Sequence, residues 1–171
     1  GIGVRVLSMS LDFEEPYFEV LTGPDCDEAK ALHAYWLQHR LSEGGAEAIL
    51  PKRDDISLPD LVALGCADRA FIMEPFGEDD WQYRLLGSEI VRYYGRDVTG
   101  IPFRQHMLEC EAEIAIRISN EAAQTRKPVF LKMRFISGDH SGMIETMSLP
   151  ILARDETTIW LFGATFFPES E

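Results

Sequence analysis

Cysteine is scarce in this chain of 171 residues. Cys26, Cys66 and Cys110 are odd in number, lie far apart and form no C-x-x-C pair. That argues against a disulfide framework and fits a reducing compartment, so a cytoplasmic setting is expected. Positive charge is scarce too: Lys plus Arg number 16 against 29 Asp plus Glu, a formal charge of −13. So acidic a chain repels phosphate backbones and anionic bilayers, and no basic stripe offsets it. Neither nucleic acid nor a membrane surface is expected as a partner. No apolar run approaches the ~20 residues that a membrane span needs. The opening GIGVRVLSMSLDFEEP is interrupted by Arg5, Ser8, Ser10 and Asp12, unlike a secretory signal. Histidines are few and scattered. His33 and His39 stand closest, but their spacing sends them to opposite-leaning faces of a helix rather than to a ligand pair, so no metal site is expected. Repeats and low-complexity tracts are lacking as well.

What is present is the material of a core. Hydrophobic residues make up 46% of the chain, enough for one domain plus an extension. The stretch Leu85–Gly100 (LLGSEIVRYYGRDVTG) organises it. Before it, Trp81, Tyr83 and Leu85 alternate with Gln82 and Arg84, a strand pattern. Gly87 then marks a tight exit, Ser88 suits a helix cap, Gly95 a helix stop and Gly100 a turn.

Residues 1–24 read as a leader without a clear element, although Val4–Met9 suits a short edge strand. Residues 25–45 read as a helix, with Asp25 as N-cap, Glu28 at capping-box spacing and Gly44–Gly45 as its end. Its stripe of Ala29, Leu32, Trp36, Leu37 and Leu41 must be buried on the domain or on another chain. Residues 46–68 form a connector with a short helix opened by Ser57. Residues 69–168 hold the main domain and 169–171 a tail. In the main domain, Ala70–Glu74 and Trp81–Leu86 form a hairpin. A long helical region runs from Pro102 to near Thr125, and strands follow at Val129–Ile136, Gly142–Leu152 and Thr158–Phe167. The last is apolar on both faces and so belongs inside a sheet covered on both sides.

The order of strand, strand, short helices, long helix and three strands resembles a PAS domain over about residues 69–168. Gly95-Arg96-Asp97-Val98-Thr99-Gly100 is the more specific piece. The helix and the connector residues Pro51, Arg53 and Asp55 make it similar to a bacterial PAS subfamily with such a connector before its core. The resemblance implies an α+β fold: a five-stranded antiparallel sheet with short helices and one long helix on one face, and an N-terminal helix in addition. It implies a sensory or dimerisation module with a pocket under the long helix; some PAS domains hold haem, flavin or small metabolites.

Candidate chemistry is thin. Haem would need an axial histidine, and only His106 is near; it reads more simply as a helix-start or surface residue. The Asn-Cys-Arg segment of photoactive flavin sites is missing, with Cys110 flanked by Glu109 and Glu111. The cofactor is therefore unassigned, with haem and flavin disfavoured. Ser137-Gly138-Asp139-His140-Ser141 holds triad residue types in a row, but a tight hairpin cannot converge them. Glu74 and Glu145 read as exposed, or as partners of Arg84 or Arg134, rather than as a buried carboxylate pair. A small isomerase or hydratase on a related cone-shaped fold would need an Asp or His in the cavity; only His106 is available, and no enzyme is expected. The aromatic residues carry more. Tyr83, Phe103, Phe135, Trp160, Phe162 and Phe166, with Met107, Ile114 and Ile118, are expected on one sheet face under the long helix. They make either a filled core or a pocket for a small apolar or aromatic ligand, with Tyr83 or Thr146 supplying polarity. Two roles remain: a ligand-binding sensor, and a ligand-free interaction module. A homodimer through Leu32, Trp36 and Leu37 is compatible with both.

Overall fold

The computed structural model describes residues 5–8, 17–40, 49–137 and 140–167. Its frame is a single antiparallel sheet. The strands are β1 (Arg5–Ser8), β2 (Tyr17–Leu21), β3 (Ala70–Phe76), β4 (Asp80–Leu86), β5 (Val129–Ser137), β6 (His140–Leu152) and β7 (Ile159–Phe166). They lie in the order β1-β2-β5-β6-β7-β3-β4. The helices are α1 (Asp27–Gln38), α2 (Leu58–Ala63), α3 (Ser88–Tyr94), α4 (Phe103–His106) and α5 (Glu109–Thr125). The fold is α+β, as expected, and the five strands β5-β6-β7-β3-β4 are the sheet the sequence foretold.

One strand, β2, was not foreseen, and β1 falls within Val4–Met9, the stretch that suited a short edge strand. Residues 1–24 were expected to be a leader, but β2 pairs along β5, with Phe18 opposite Met133 and Leu21 opposite Phe130, and β1 pairs with β2. Strands this short carry little pattern of their own; β2 is defined by its pairing with β5, and β1, at the sheet edge, by its pairing with β2.

Strand alternation divides the core into two layers. Phe71 and Met73 of β3, Leu131 of β5 and Leu161 of β7 pack under α3, α4 and α5. Ala70 and Ile72 of β3, Phe130 of β5, Met147, Leu149 and Ile151 of β6, and Phe162, Ala164 and Phe166 of β7 pack under α1 and α2. Strand β7 thus lies between β6 and β3 with both faces covered, as its two apolar faces required.

Local chemistry explains the element boundaries. Gly95 ends α3 in the left-handed region at φ 79°, where glycine carries no steric penalty. Gly87 is needed for another reason: its φ is −63°, but a Cβ there would stand 2.3 Å from the Asp68 carbonyl oxygen. Ser88 is the first residue of α3 rather than its cap. The long helical region is two helices, with extended backbone at Met107 and Leu108 between α4 and α5. Ser57 caps α2 by accepting the Asp60 N–H at 3.3 Å. Trp81 Nε1 donates to Asn120 Oδ1 at 2.9 Å and so pins α5 to β4. Among the described residues no helix is long and apolar enough to cross a membrane.

Candidate functional site

Between α5 and the sheet lies a cavity of about 200 Å³. The strands supply its floor: Phe71 and Met73 from β3, Tyr83 from β4, Leu131 and Met133 from β5, Ile144, Thr146 and Ser148 from β6, and Thr165 from β7. The helices supply its roof: Ile90, Tyr93 and Tyr94 from α3, Phe103 from α4, and Ile114, Ala115, Ile118 and Ser119 from α5. Phe18 of β2 closes one side. Glu111 and Arg134, both exposed, stand at the mouth.

The aromatic part of the wall is interlocked. The rings of Tyr83 and Phe103 are 5.2 Å apart, and Phe71 meets Tyr83 edge-on at 5.8 Å, spacings favourable for such pairs. The hydroxyls of Tyr83 and Tyr94 share a hydrogen bond of 3.2 Å. Burial pushes the Tyr83 hydroxyl upward and that of Tyr94 well above the usual tyrosine range. Burial also pushes Tyr93 up to about 12. A phenolate costs too much in an apolar wall, so these groups stay neutral.

The hydroxyls on the floor and roof have mostly spent their protons. Thr146 Oγ1 donates to the Ala164 carbonyl at 3.1 Å and lies 3.3 Å from Thr165 Oγ1. Ser119 Oγ donates to the Ala115 carbonyl at 2.8 Å.

Of the residues expected to line a pocket, the structure brings Tyr83, Phe103, Met107, Ile114, Ile118 and Thr146 together around this cavity. Phe135 falls outside the residues with described side chains. Trp160, Phe162 and Phe166 require a correction: they belong to the layer under α1. On a strand apolar on both sides, alternation separates two sets without saying which set meets the long helix, and the larger aromatics were assigned to the wrong one. Trp160 instead lies beneath the Arg84 guanidinium, 4.6 Å from the ring centroid. Phe18 and Ser148 were missed. The run Tyr17-Phe18-Glu19-Val20-Leu21 is the signal that pointed to the first; a small hydroxyl inside an apolar strand was the only sign of the second. His106 stands outside the cavity wall, edge-on to Tyr94 and Phe103.

The opposite face carries helix α1, and here too the expectation changes. Leu32 and Trp36 are buried in the chain's own core at 0% and 1% exposure, whereas Leu37 is exposed at 43%. Trp36 Nε1 donates to the Pro150 carbonyl at 2.8 Å. The stripe expected to meet a second copy thus meets β6 and β7. Amphipathic spacing shows that a face must be buried, not against which chain.

The start of α1 is held by a buried acid. Its N-cap is Cys26, not Asp25, and the cap makes no side-chain hydrogen bond. Glu145, 1% exposed on β6, accepts the main-chain N–H of Asp25 at 2.7 Å and of Cys26 at 3.0 Å. Asp25 pairs with Lys132, which faces Glu145 across the β5–β6 ladder. That pairing holds the Asp25 carboxyl below its usual range. Glu74 instead meets Gln82 at 3.0 Å and Arg84 at 3.4 Å.

The connector residues noted in the sequence have local tasks. Pro51 offers its carbonyl to the Leu152 N–H at 2.8 Å. Arg53 Nη1 donates to the Ile56 carbonyl at 3.0 Å. Asp55 accepts the Lys52 N–H through its carboxylate and the Tyr35 hydroxyl through its carbonyl. They tie the connector to the end of β6 and to α1. Among the described residues no group of three His, Cys, Asp or Glu side chains could hold a metal ion.

This arrangement is that of a sensory or interaction domain: a sheet with a cavity beneath its long helix and a further helix docked behind. The family model described as PAS domain matches residues 25–166, and the chain belongs to the PAS domain family. No curated protein matches it.

Proposed function

We propose that this PAS domain is a sensory module that takes up a small apolar or aromatic molecule in the cavity between α5 and the sheet. The cavity itself carries the reading. At about 200 Å³ it exceeds the ~150 Å³ of an apolar protein cavity that accepts benzene, and its wall is largely aromatic and aliphatic. Side chains of the layer under α5 make up most of its wall, so an open space of this size among them suits an occupant. The same geometry favours binding over catalysis. The charged side chains of the wall stand at the mouth, and its tyrosines stay neutral.

Strand β6 supports a route for a signal. Thr146 faces the cavity, while its neighbour Glu145 holds the start of α1 on the other side of the sheet. A molecule that presses on Thr146 displaces the carboxylate on which α1 rests. Homodimerisation is part of the proposal, but Leu32 and Trp36 are not its surface.

Native and denaturing mass spectra of freshly purified protein, with an absorption scan, test the reading. The expected result is a mass increment that leaves on denaturation, on a dimer. A protein with no increment, which no small molecule protects against heat, overturns the sensor in favour of a ligand-free interaction module.

A further inference from the structure

The inference concerns which kind of molecule the cavity accepts, and it rests on the reading of the cavity as a ligand site. Ser148 is 6% exposed and faces the cavity from β6, on the same side as Ile144 and Thr146. Its neighbours Thr146 and Ser119 donate to main-chain carbonyls. The Ser148 hydroxyl has no such bond among the described residues. It borders the cavity and so offers both a donor and an acceptor to whatever enters it.

The rest of the wall limits the partner further. Thr146 gives its proton to Ala164, so Thr165 is the donor in the Thr146–Thr165 contact and keeps lone pairs free to accept. Ser119 likewise keeps lone pairs free. An incoming group is therefore met by acceptors, by the Ser148 hydroxyl, which both donates and accepts, and by whichever of Tyr83 and Tyr94 accepts their shared bond and so keeps its own proton. Charge is absent from the deep wall, because Glu111 and Arg134 stand at the mouth and burial keeps Tyr83 and Tyr94 protonated. An ion placed deep in the cavity would lose its hydration without gaining a counter-charge.

We propose that the ligand is a neutral molecule about the size of one aromatic ring that bears a hydroxyl, and that Ser148 is the residue that binds this hydroxyl. A phenol fits the description. A carboxylate of the same size does not.

The test is calorimetric titration of the whole chain with toluene, phenol and benzoate at neutral pH, repeated on Ser148→Ala. Phenol affinity should fall roughly 2- to 10-fold in the variant, the worth of one net hydrogen bond. Toluene affinity should stay within about 2-fold, and benzoate should not bind. Equal effects on phenol and toluene, or no effect on either, overturn the role of Ser148. Benzoate binding as tight as that of phenol overturns the neutral class. If toluene and phenol both fail to bind the unmodified chain, the cavity reading fails and this inference with it. A second readout is independent of ligand: Ser148→Ala removes an unpartnered polar group, so its urea midpoint should equal or exceed that of the parent. A clearly lower midpoint would give Ser148 a structural partner and overturn the assignment.

Discussion

The carboxylate of Glu145 holds the main chain of Cys26. One oxygen accepts the Cys26 N–H at 3.0 Å, and the other accepts the N–H of Asp25 at 2.7 Å. The N–H of the N-cap residue and that of the residue before it are thus satisfied by an acid from the middle of the sheet, where the cap itself makes no side-chain hydrogen bond. Negative charge at a helix N-terminus is favourable in itself. Glu145→Gln keeps the shape but turns one acceptor into a donor that faces another donor. It should cost about 1–3 kcal/mol. Amide exchange checks the mechanism: protection should fall in α1 more than in α5. Equal loss in both helices would show that the acid does not hold α1.

Trp36 reports on the same helix from its other end. Trp36→Ala should destabilise the domain by about 3–5 kcal/mol, the usual cost of emptying a buried aromatic site. Trp36→Glu should fail to fold, since it places a carboxylate with no partner in the core. Circular dichroism and urea unfolding check both. A folded Trp36→Glu protein with an unchanged midpoint would put this side chain outside the core, on a surface free to meet another chain.

His106 sets a pH dependence. Burial lowers its pKa, the Arg96 guanidinium lowers it further, and Asp80 acts in the opposite direction. Both ring nitrogens are buried without a partner. The unfolded chain therefore takes up this proton at about pH 6.5, before the folded one does. The histidine costs no stability above that pH. Stability falls as the pH drops from about 6.5 toward the folded-state value, and the loss levels off below it. Urea midpoints at pH 7.5 and 5.5 should draw apart in the parent more than in His106→Gln. An equal separation in the two would contradict the assignment.

Two glycines of the central stretch should differ in kind. Gly95→Ala meets nothing within 4 Å but sits at φ 79°, so its cost should be the ordinary left-handed penalty of about 1–2 kcal/mol. Gly87→Ala drives a Cβ into the Asp68 main chain and should cost more, because backbone must move. Urea unfolding of the pair decides it; a milder effect at Gly87 would contradict the close approach.

Much of this architecture was legible in the chain. The alternation in Trp81–Leu86, the glycines at 87, 95 and 100, and the two-faced strand ending at Phe166 are local patterns, and each element they implied is present. What stayed hidden depends on partners distant in sequence. Tyr17–Leu21 is a strand because β5 lies beside it. Trp160 and Phe162 face α1 because the sheet has two covered faces, and alternation cannot tell one from the other. Glu145 in a strand reads as solvent-facing until a helix start is placed over it. Six of the expected cavity residues, Tyr83 and Thr146 among them, were found because helical and strand periodicity happened to place them on one layer.

The central claim is that the space under α5 accepts a small molecule. The most direct measurement is a toluene titration of protein labelled at isoleucine methyl groups, followed by NMR. The expected result is saturable shifts at Ile114, Ile118 and Ile144, which line the cavity, with Ile72 and Ile151 in the layer under α1 nearly unchanged. Shifts at Ile72 and Ile151 instead, or none at any methyl up to the solubility of toluene, would contradict it.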